Sequence, residues 1–221
     1  MTNARFSPVF ITGGTGYLGR PLIEALVKRG YRAHALVRAG SEHKLPSGAL
    51  PVVGNALDES TFGGAIPPGA TVVHLVGTPH PNPAKAAEFR RVDLASIRAT
   101  VAAARQAAVR HLIYVSVAHP APVMQAYIAA RQEGEKLVRA SGIPATILRP
   151  WYILGPGHRW PYLLVPVYKV LHWFGATRDG AERLGLVTRR AMIAALIRAV
   201  EMPPPDAARI VEVPEIRRAA V

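Results

Sequence analysis

Short apolar runs alternate with longer stretches at helical spacing over most of this chain, the pattern of a parallel sheet whose strands are joined by returning helices. The first run, Val9-Phe10-Ile11-Thr12, breaks into Gly13-Gly14-Thr15-Gly16-Tyr17-Leu18-Gly19 and becomes a helix with Leu18, Leu22 and Leu26 at four-residue spacing, ending near Gly30. Residues 32–38 and 51–53 predict the second and third strands, and the β-branched run 71–77 a buried fourth. A long helix is expected from about 84 to 108, with Phe89, Val92, Ile97 and Val101 on its apolar face. Residues 110–116 predict a fifth strand, a helix carrying Tyr127 continues through Val138, and 143–150 predict a sixth strand. A helix at 190–200 with Met192, Leu196 and Val200 inward and a last strand at 208–213 complete the pattern. The expected fold class is therefore α/β, a doubly wound parallel sheet of Rossmann type. One domain is expected, with a core over 1–150, a small apolar region over 151–186 and a helix and strand at 187–221 that return to the core.

The glycine turn carries the first chemistry. Gly13, Gly16 and Gly19 stand three apart and answer separate demands: an unusual backbone angle, close approach of a diphosphate, and tight packing of helix on strand. The helix then aims its free N–H groups and positive dipole end at an anion. A glycine turn without ligand is the bland alternative, but the strand before and the helix after it favour a dinucleotide. An acid at the end of the second strand would hold a free ribose 2′-hydroxyl, whereas this strand ends on Arg38, which suits a 2′-phosphate. NADP is thus the preferred cofactor, with NAD as the alternative. Asn55 and Ala56 are placed for the adenine, Asp58 reads as a helix cap and His74 as a satisfied core histidine. Val76, Gly77 and Thr78 close the fourth strand, where they should flank the nicotinamide.

Composition narrows the classes. Half of the 221 residues are hydrophobic, enough for a full core, and the absence of cysteine excludes disulfides, thiolate chemistry and cysteine-held zinc. The eight histidines show no metal-ligand spacing. The net charge of +13 would suit anionic partners, yet 17 Lys/Arg against 8 Asp/Glu in 1–150 and 10 against 6 in 151–221 are dispersed, without a basic block interleaved with aromatics. Nucleic acid is therefore not expected, and a solvated arginine-rich surface is. The polar residues before the first strand do not read as a signal peptide, so a cytoplasmic location is expected.

From the glycine turn through Val115-Ser116, Tyr127 with its helix, the run Ser141 to Pro150 and Tyr152-Ile153-Leu154-Gly155-Pro156-Gly157, the chain resembles the short-chain dehydrogenase/reductase superfamily. The likeness is closest to its atypical and extended members, the NmrA-like and epimerase-like proteins. It implies that Tyr127 donates or accepts a proton while hydride moves to or from the nicotinamide, and that Ser116 polarises the substrate carbonyl. A lysine four residues after the tyrosine would bind the ribose and lower the tyrosine pKa; this chain has Arg131 there, which keeps the charge but changes size and donor geometry. Glu135, one turn further, could hold that guanidinium away from the ribose. Thr15, Tyr17, Leu18, Pro150 and Tyr152 are expected to contact the cofactor with the glycines. Ser116 and Tyr127 also admit bland readings, a strand-end hydroxyl and a half-buried aromatic, and His119 is a weaker candidate proton donor.

The apolar, aromatic stretch from Trp160 to Phe174 is shorter than a bilayer span and is interrupted by Pro166, Lys169 and His172. It reads as a cover over an apolar substrate pocket, with a dimer surface and a membrane-lying helix as the other readings. Two functions follow. One is an NADP-dependent oxidoreductase acting on a small apolar carbonyl, alkene or quinone-like substrate; the other is a dinucleotide-holding redox sensor or assembly factor without turnover. Either is compatible with a monomer or a homodimer, and with a membrane-peripheral position.

Overall fold

The computed structural model describes residues 7–156 and 184–220. Seven strands form one parallel sheet: β1 (Val9–Thr12), β2 (Ala33–Val37), β3 (Leu50–Val53), β4 (Thr71–His74), β5 (His111–Val115), β6 (Ala145–Arg149) and β9 (Ala208–Glu212). Their order is β3-β2-β1-β4-β5-β6-β9, so the chain moves outward from β1 in one direction and then returns to build the other half. That reversal opens a crevice beyond the carboxyl ends of β1 and β4, where open α/β sheets take ligands. A separate parallel pair, β7 (Tyr152–Leu154) and β8 (Leu186–Thr188), lies outside the main sheet.

The central strands are buried along their full length, as their unbroken apolar runs require. Helix α1 (Gly19–Lys28) turns Leu22, Ile23 and Leu26 inward and ends at Gly30, whose φ of +87° closes the turn into β2. Helix α4 (Arg189–Glu201) packs on the same side, its Met192 and Leu196 sharing one core with Leu22 and Leu26. Its first turn is capped by Thr188, which accepts from the backbone of Ala191 at 3.1 Å and supplies the cap for which no aspartate is present. On the opposite face α2 (Ala95–Gln106) and α3 (Gln125–Ala140) cover Phe10, Leu112, Tyr114 and Ile147. A short α5 (Val213–Arg218), not anticipated from the pattern, buries Val213 and Ile216 beside α4.

The expected long helix at 84–108 is not uniform. It enters through a 3-10 turn (Pro83–Lys85) and a single α-turn (Ala86–Glu88), widens into a π-turn (Phe89–Leu94) and only then becomes α2. The wider turn shifts the face, so Phe89, Asp93, Leu94 and Ile97 point inward while Val92 and Val101 are only half-buried. The segment Trp160 to Phe174 lies outside the described residues, as does Gly157.

Candidate active site

The β1–α1 turn has the tightness its glycines imply. Gly13 adopts φ +72°, and the amide of Gly16 donates to the carbonyl of Gly13 at 3.0 Å. A Cβ on Gly13 would press on the Leu75 backbone at 3.1 Å, and one on Gly19 would run into the carbonyl of Gly13. A Cβ on Gly16 would meet only the Gly13 carbonyl, at 3.1 Å, and otherwise open space. The turn is thus packed on its protein side and open where a diphosphate would approach the backbone, which is the fit a dinucleotide needs.

From this turn a cavity of about 610 Å³ runs across the carboxyl ends of β1, β4 and β5. Gly13, Gly16, Tyr17, Leu18 and Gly19 form one end, and Gly77, Thr78, Tyr127, Arg131 and Tyr152 the middle. Pro79, Pro81, Val117, Met124, Trp151 and Ile153 make the remaining wall predominantly apolar. Arg189 of α4 stacks over the Tyr17 ring at 5.2 Å and ties the returning helix to the cofactor end.

Other expected contacts lie elsewhere. Thr15 is half-buried within the turn, and Val76 and Pro150 sit beside the cavity without lining it. Arg38 is exposed just beyond β2. Asn55 and Ala56 also fall outside the lining, and the Asn55 side-chain oxygen accepts from the backbone of Leu57 at 3.1 Å, so that it shapes its own turn. Asp58 caps the following 3-10 turn by accepting from Ser60. His74 is fully buried, its Nδ1 3.0 Å from the hydroxyls of both Thr12 and Thr100. Burial, reinforced by the charge of Arg131, lowers its pKa to about 3 and keeps it neutral.

Helix α3 places Tyr127 and Arg131 on one face, as four-residue spacing demands. The Phe89 ring meets Tyr127 edge-on at 5.0 Å, and the guanidinium of Arg131 lies between two phenol rings, 5.2 Å from Tyr127 and 5.9 Å from Tyr114. Burial, only partly offset by Arg131, pushes the Tyr114 pKa up to about 12. The partner of Arg131 is not Glu135. Its Nη2 donates to Asp93 Oδ1 at 2.6 Å and its Nη1 to the carbonyl of Val115 at 2.9 Å. Asp93 Oδ2 accepts in turn from the backbone and the hydroxyl of Thr78, at 2.9 and 2.6 Å.

Glu135 belongs to a different cluster. It accepts from Arg149 through both oxygens at 2.8 and 2.5 Å, from Arg139 at 3.2 Å and from the Ser116 hydroxyl at 2.7 Å. Arg149 also reaches Glu212 of β9 at 2.9 Å, and His119 Nε2 lies 3.4 Å from Glu135. Burial would raise the Glu135 pKa, but the bonds from Arg149 and Ser116 outweigh it and hold the carboxyl below its ordinary range. Ser116 therefore sits behind the cavity wall, between Val115 and Val117, with its proton committed to a carboxylate.

Asp93 was not among the residues singled out from sequence. The signal was present: an acid stands midway between Phe89 and Ile97, four residues from each, on a stripe otherwise apolar. An acid so placed needs a buried cation.

Residues 13–162 match the family model for NAD(P)H-binding proteins. The chain belongs to that family. It is 36% identical over 158 residues to a ceramide reductase of Caulobacter vibrioides, covering 71% of this chain and 49% of the relative. It is 30% identical over 168 residues to the 4-hydroxy-2-methyl-3-oxo-4-farnesyl-3,4-dihydroquinoline-1-oxide ketoreductase of Stigmatella aurantiaca, covering 66% and 50%. This family member thus spans about half the length of either relative. Its fold is that of the short-chain dehydrogenase/reductase superfamily. A member from Agrobacterium tumefaciens, solved with bound NAD, superposes with a TM-score of 0.68 at 20% identity over 91% of this chain and 76% of that one. The cofactor class is accordingly a nicotinamide dinucleotide. Among the described residues no helix is long and apolar enough to cross a membrane.

Proposed function

We propose that this chain is an NADPH-dependent reductase of a carbonyl carried on a small lipophilic molecule, with Tyr127 as the proton donor. The observation that carries this reading is the continuity of one cavity from the glycine turn to the Tyr127 ring, walled beyond it by Pro79, Val117, Met124 and Trp151. A bound nicotinamide supplies hydride. The chain's own part is to hold the carbonyl carbon near that hydride, exclude water with apolar walls, and deliver the Tyr127 proton to the carbonyl oxygen. Hydride and proton together convert the carbonyl to an alcohol.

Arg131, lying over the Tyr127 ring, adds positive charge beside the phenol as its proton leaves. The polarising role expected of Ser116 falls to Tyr127 in this reading, because the serine proton is held by Glu135. Gly77, Thr78 and Tyr152, which line the cavity beside Tyr127, would hold the nicotinamide there. The two relatives are named for a ceramide and for a farnesyl-bearing quinoline oxide, both lipophilic, which accords with the apolar wall here. Arg38, exposed where an acid would select the free 2′-hydroxyl, supports NADPH over NADH.

A second reading, a dinucleotide-holding sensor without turnover, is favoured by the same commitment of Ser116. The two part in one experiment. NADPH consumption is followed with a panel of long-chain ketones and quinones, for the native protein and for Tyr127→Phe. Turnover lost in Tyr127→Phe with NADPH affinity retained supports the reductase; tight NADPH binding without consumption across the panel supports the sensor.

A further inference from the structure

Asp93 lies behind the cavity wall, bonded to two residues that line it, Arg131 and Thr78. It is 1% exposed, and each oxygen serves a different element. Oδ1 takes Arg131 of α3, and Oδ2 takes both donors of Thr78 in the loop after β4. The guanidinium so held brings its Nη2 against Gly77, where a Cβ would run into it. We propose that Asp93 is a positioning residue that fixes the Arg131 cation beside the Tyr127 ring and sets how much of its charge the phenol feels.

A guanidinium 5.2 Å from the ring centroid attracts negative charge on the phenol, and the carboxylate bonded to that guanidinium at 2.6 Å offsets the attraction. The glycine at 77 and the π-turn that brings Asp93 inward are what allow an arginine to occupy this place. Among the described residues, the charged group over the Tyr127 ring is Arg131 of its own helix, and Arg131 in turn meets Asp93 of the π-turn and the Tyr114 ring of β5. His80, Tyr17 and Tyr152 line the same cavity. This inference extends the reading of Tyr127 as proton donor, and its test does not need turnover.

The measurement is the ultraviolet tyrosinate band of the ligand-free protein against pH. Each variant is compared with its Tyr127→Phe counterpart, so that the difference reports Tyr127 alone, and far-ultraviolet circular dichroism confirms the fold. Asp93→Asn keeps the shape and removes the charge, and should move the Tyr127 titration about one pH unit toward acid. Arg131→Gln removes the cation and should move it by a similar amount toward alkali, which also serves if Asp93→Asn does not fold. Thr78→Val leaves the ion pair intact and should leave the titration in place. Opposite displacements support the proposal. No displacement, or displacement in the same direction by both charge variants, overturns it and reduces the pair to a structural tie. Should the shifts appear while the native protein consumes no NADPH, the inference stands and the reductase reading fails.

Discussion

Arg131 and Glu135 stand one turn apart on α3, both buried and both paired, and they are used for different ends. Glu135 is one carboxylate between two cations, Arg149 bidentate and Arg139 at the rim, with the His119 ring close by. Through it α3 is tied to β6 and, by way of Arg149 and Glu212, to β9 at the far edge of the sheet. Arg131 is one cation among π-faces, balanced by the single carboxylate of Asp93, and it lines the cavity. The first arrangement keeps Glu135 itself turned inward and locks elements distant in sequence. The second leaves one face of the cation turned toward the phenol on which chemistry would occur. Buried ion pairs look alike by burial and distance; what each faces separates a strut from part of a site.

Removing one partner from the first cluster should give the largest effect. Glu135→Ala removes the bidentate partner of half-buried Arg149, leaving it Glu212 alone, and frees the Ser116 hydroxyl; a loss of about 2–3 kcal/mol is expected, read as a fall in the denaturation midpoint. An unchanged midpoint would mean that the cluster is solvated.

Acid separates the two regions next. His74, on the Arg131 side, binds its proton far more weakly folded than unfolded, as does His111, whose pKa burial lowers to about 4. The unfolded chain therefore takes up protons first, and stability should fall as pH drops below about 6.5, continuing toward pH 3. The depressed Glu135 adds its own loss only below the ordinary carboxylate range. A melting temperature flat between pH 7 and 5 would contradict the burial of both histidines.

Smaller still, Gly77→Ala presses a methyl group against the Arg131 guanidinium and should cost about 1–3 kcal/mol through overpacking, with the Glu135 cluster untouched. The smallest effect tests cofactor choice. Arg38→Ser should weaken NADPH binding about tenfold, equivalent to ~1.4 kcal/mol, while NADH binding stays the same. Equal loss for both nucleotides would remove the preference for the 2′-phosphate.

The two regions also differ in how far sequence alone discloses them. The β1 run, the glycine turn and the Leu18-Leu22-Leu26 stripe are adjacent in the chain, and local sterics specify them, so strand, turn and helix were legible together. Tyr127 and Arg131 were legible for the same reason, since helical spacing fixes their common face. Partners were not. Whether Arg131 meets Glu135 or Asp93 depends on a π-turn 38 residues earlier, and a wider turn leaves no mark in hydrophobic periodicity. The Ser116 proton goes to Glu135 because α3 crosses the end of β5 at a particular height, a matter of packing between elements. β7 was missed because three residues are too few for a period, and α5 because Pro214 at its first turn reads as a break until the turn it opens is seen.

All of this rests on a nucleotide lying where β1 passes into α1, and calorimetry of NADPH binding to the native protein and to Gly16→Val tests that directly. A Cβ at Gly16 meets only the Gly13 carbonyl, at 3.1 Å, so valine there should cost about 1–3 kcal/mol and leave the protein folded while filling the approach of the diphosphate. Heat of binding in the native protein and at least a tenfold loss of affinity in the variant is the predicted result. No heat with folded native protein, or equal affinity in both, would contradict the account.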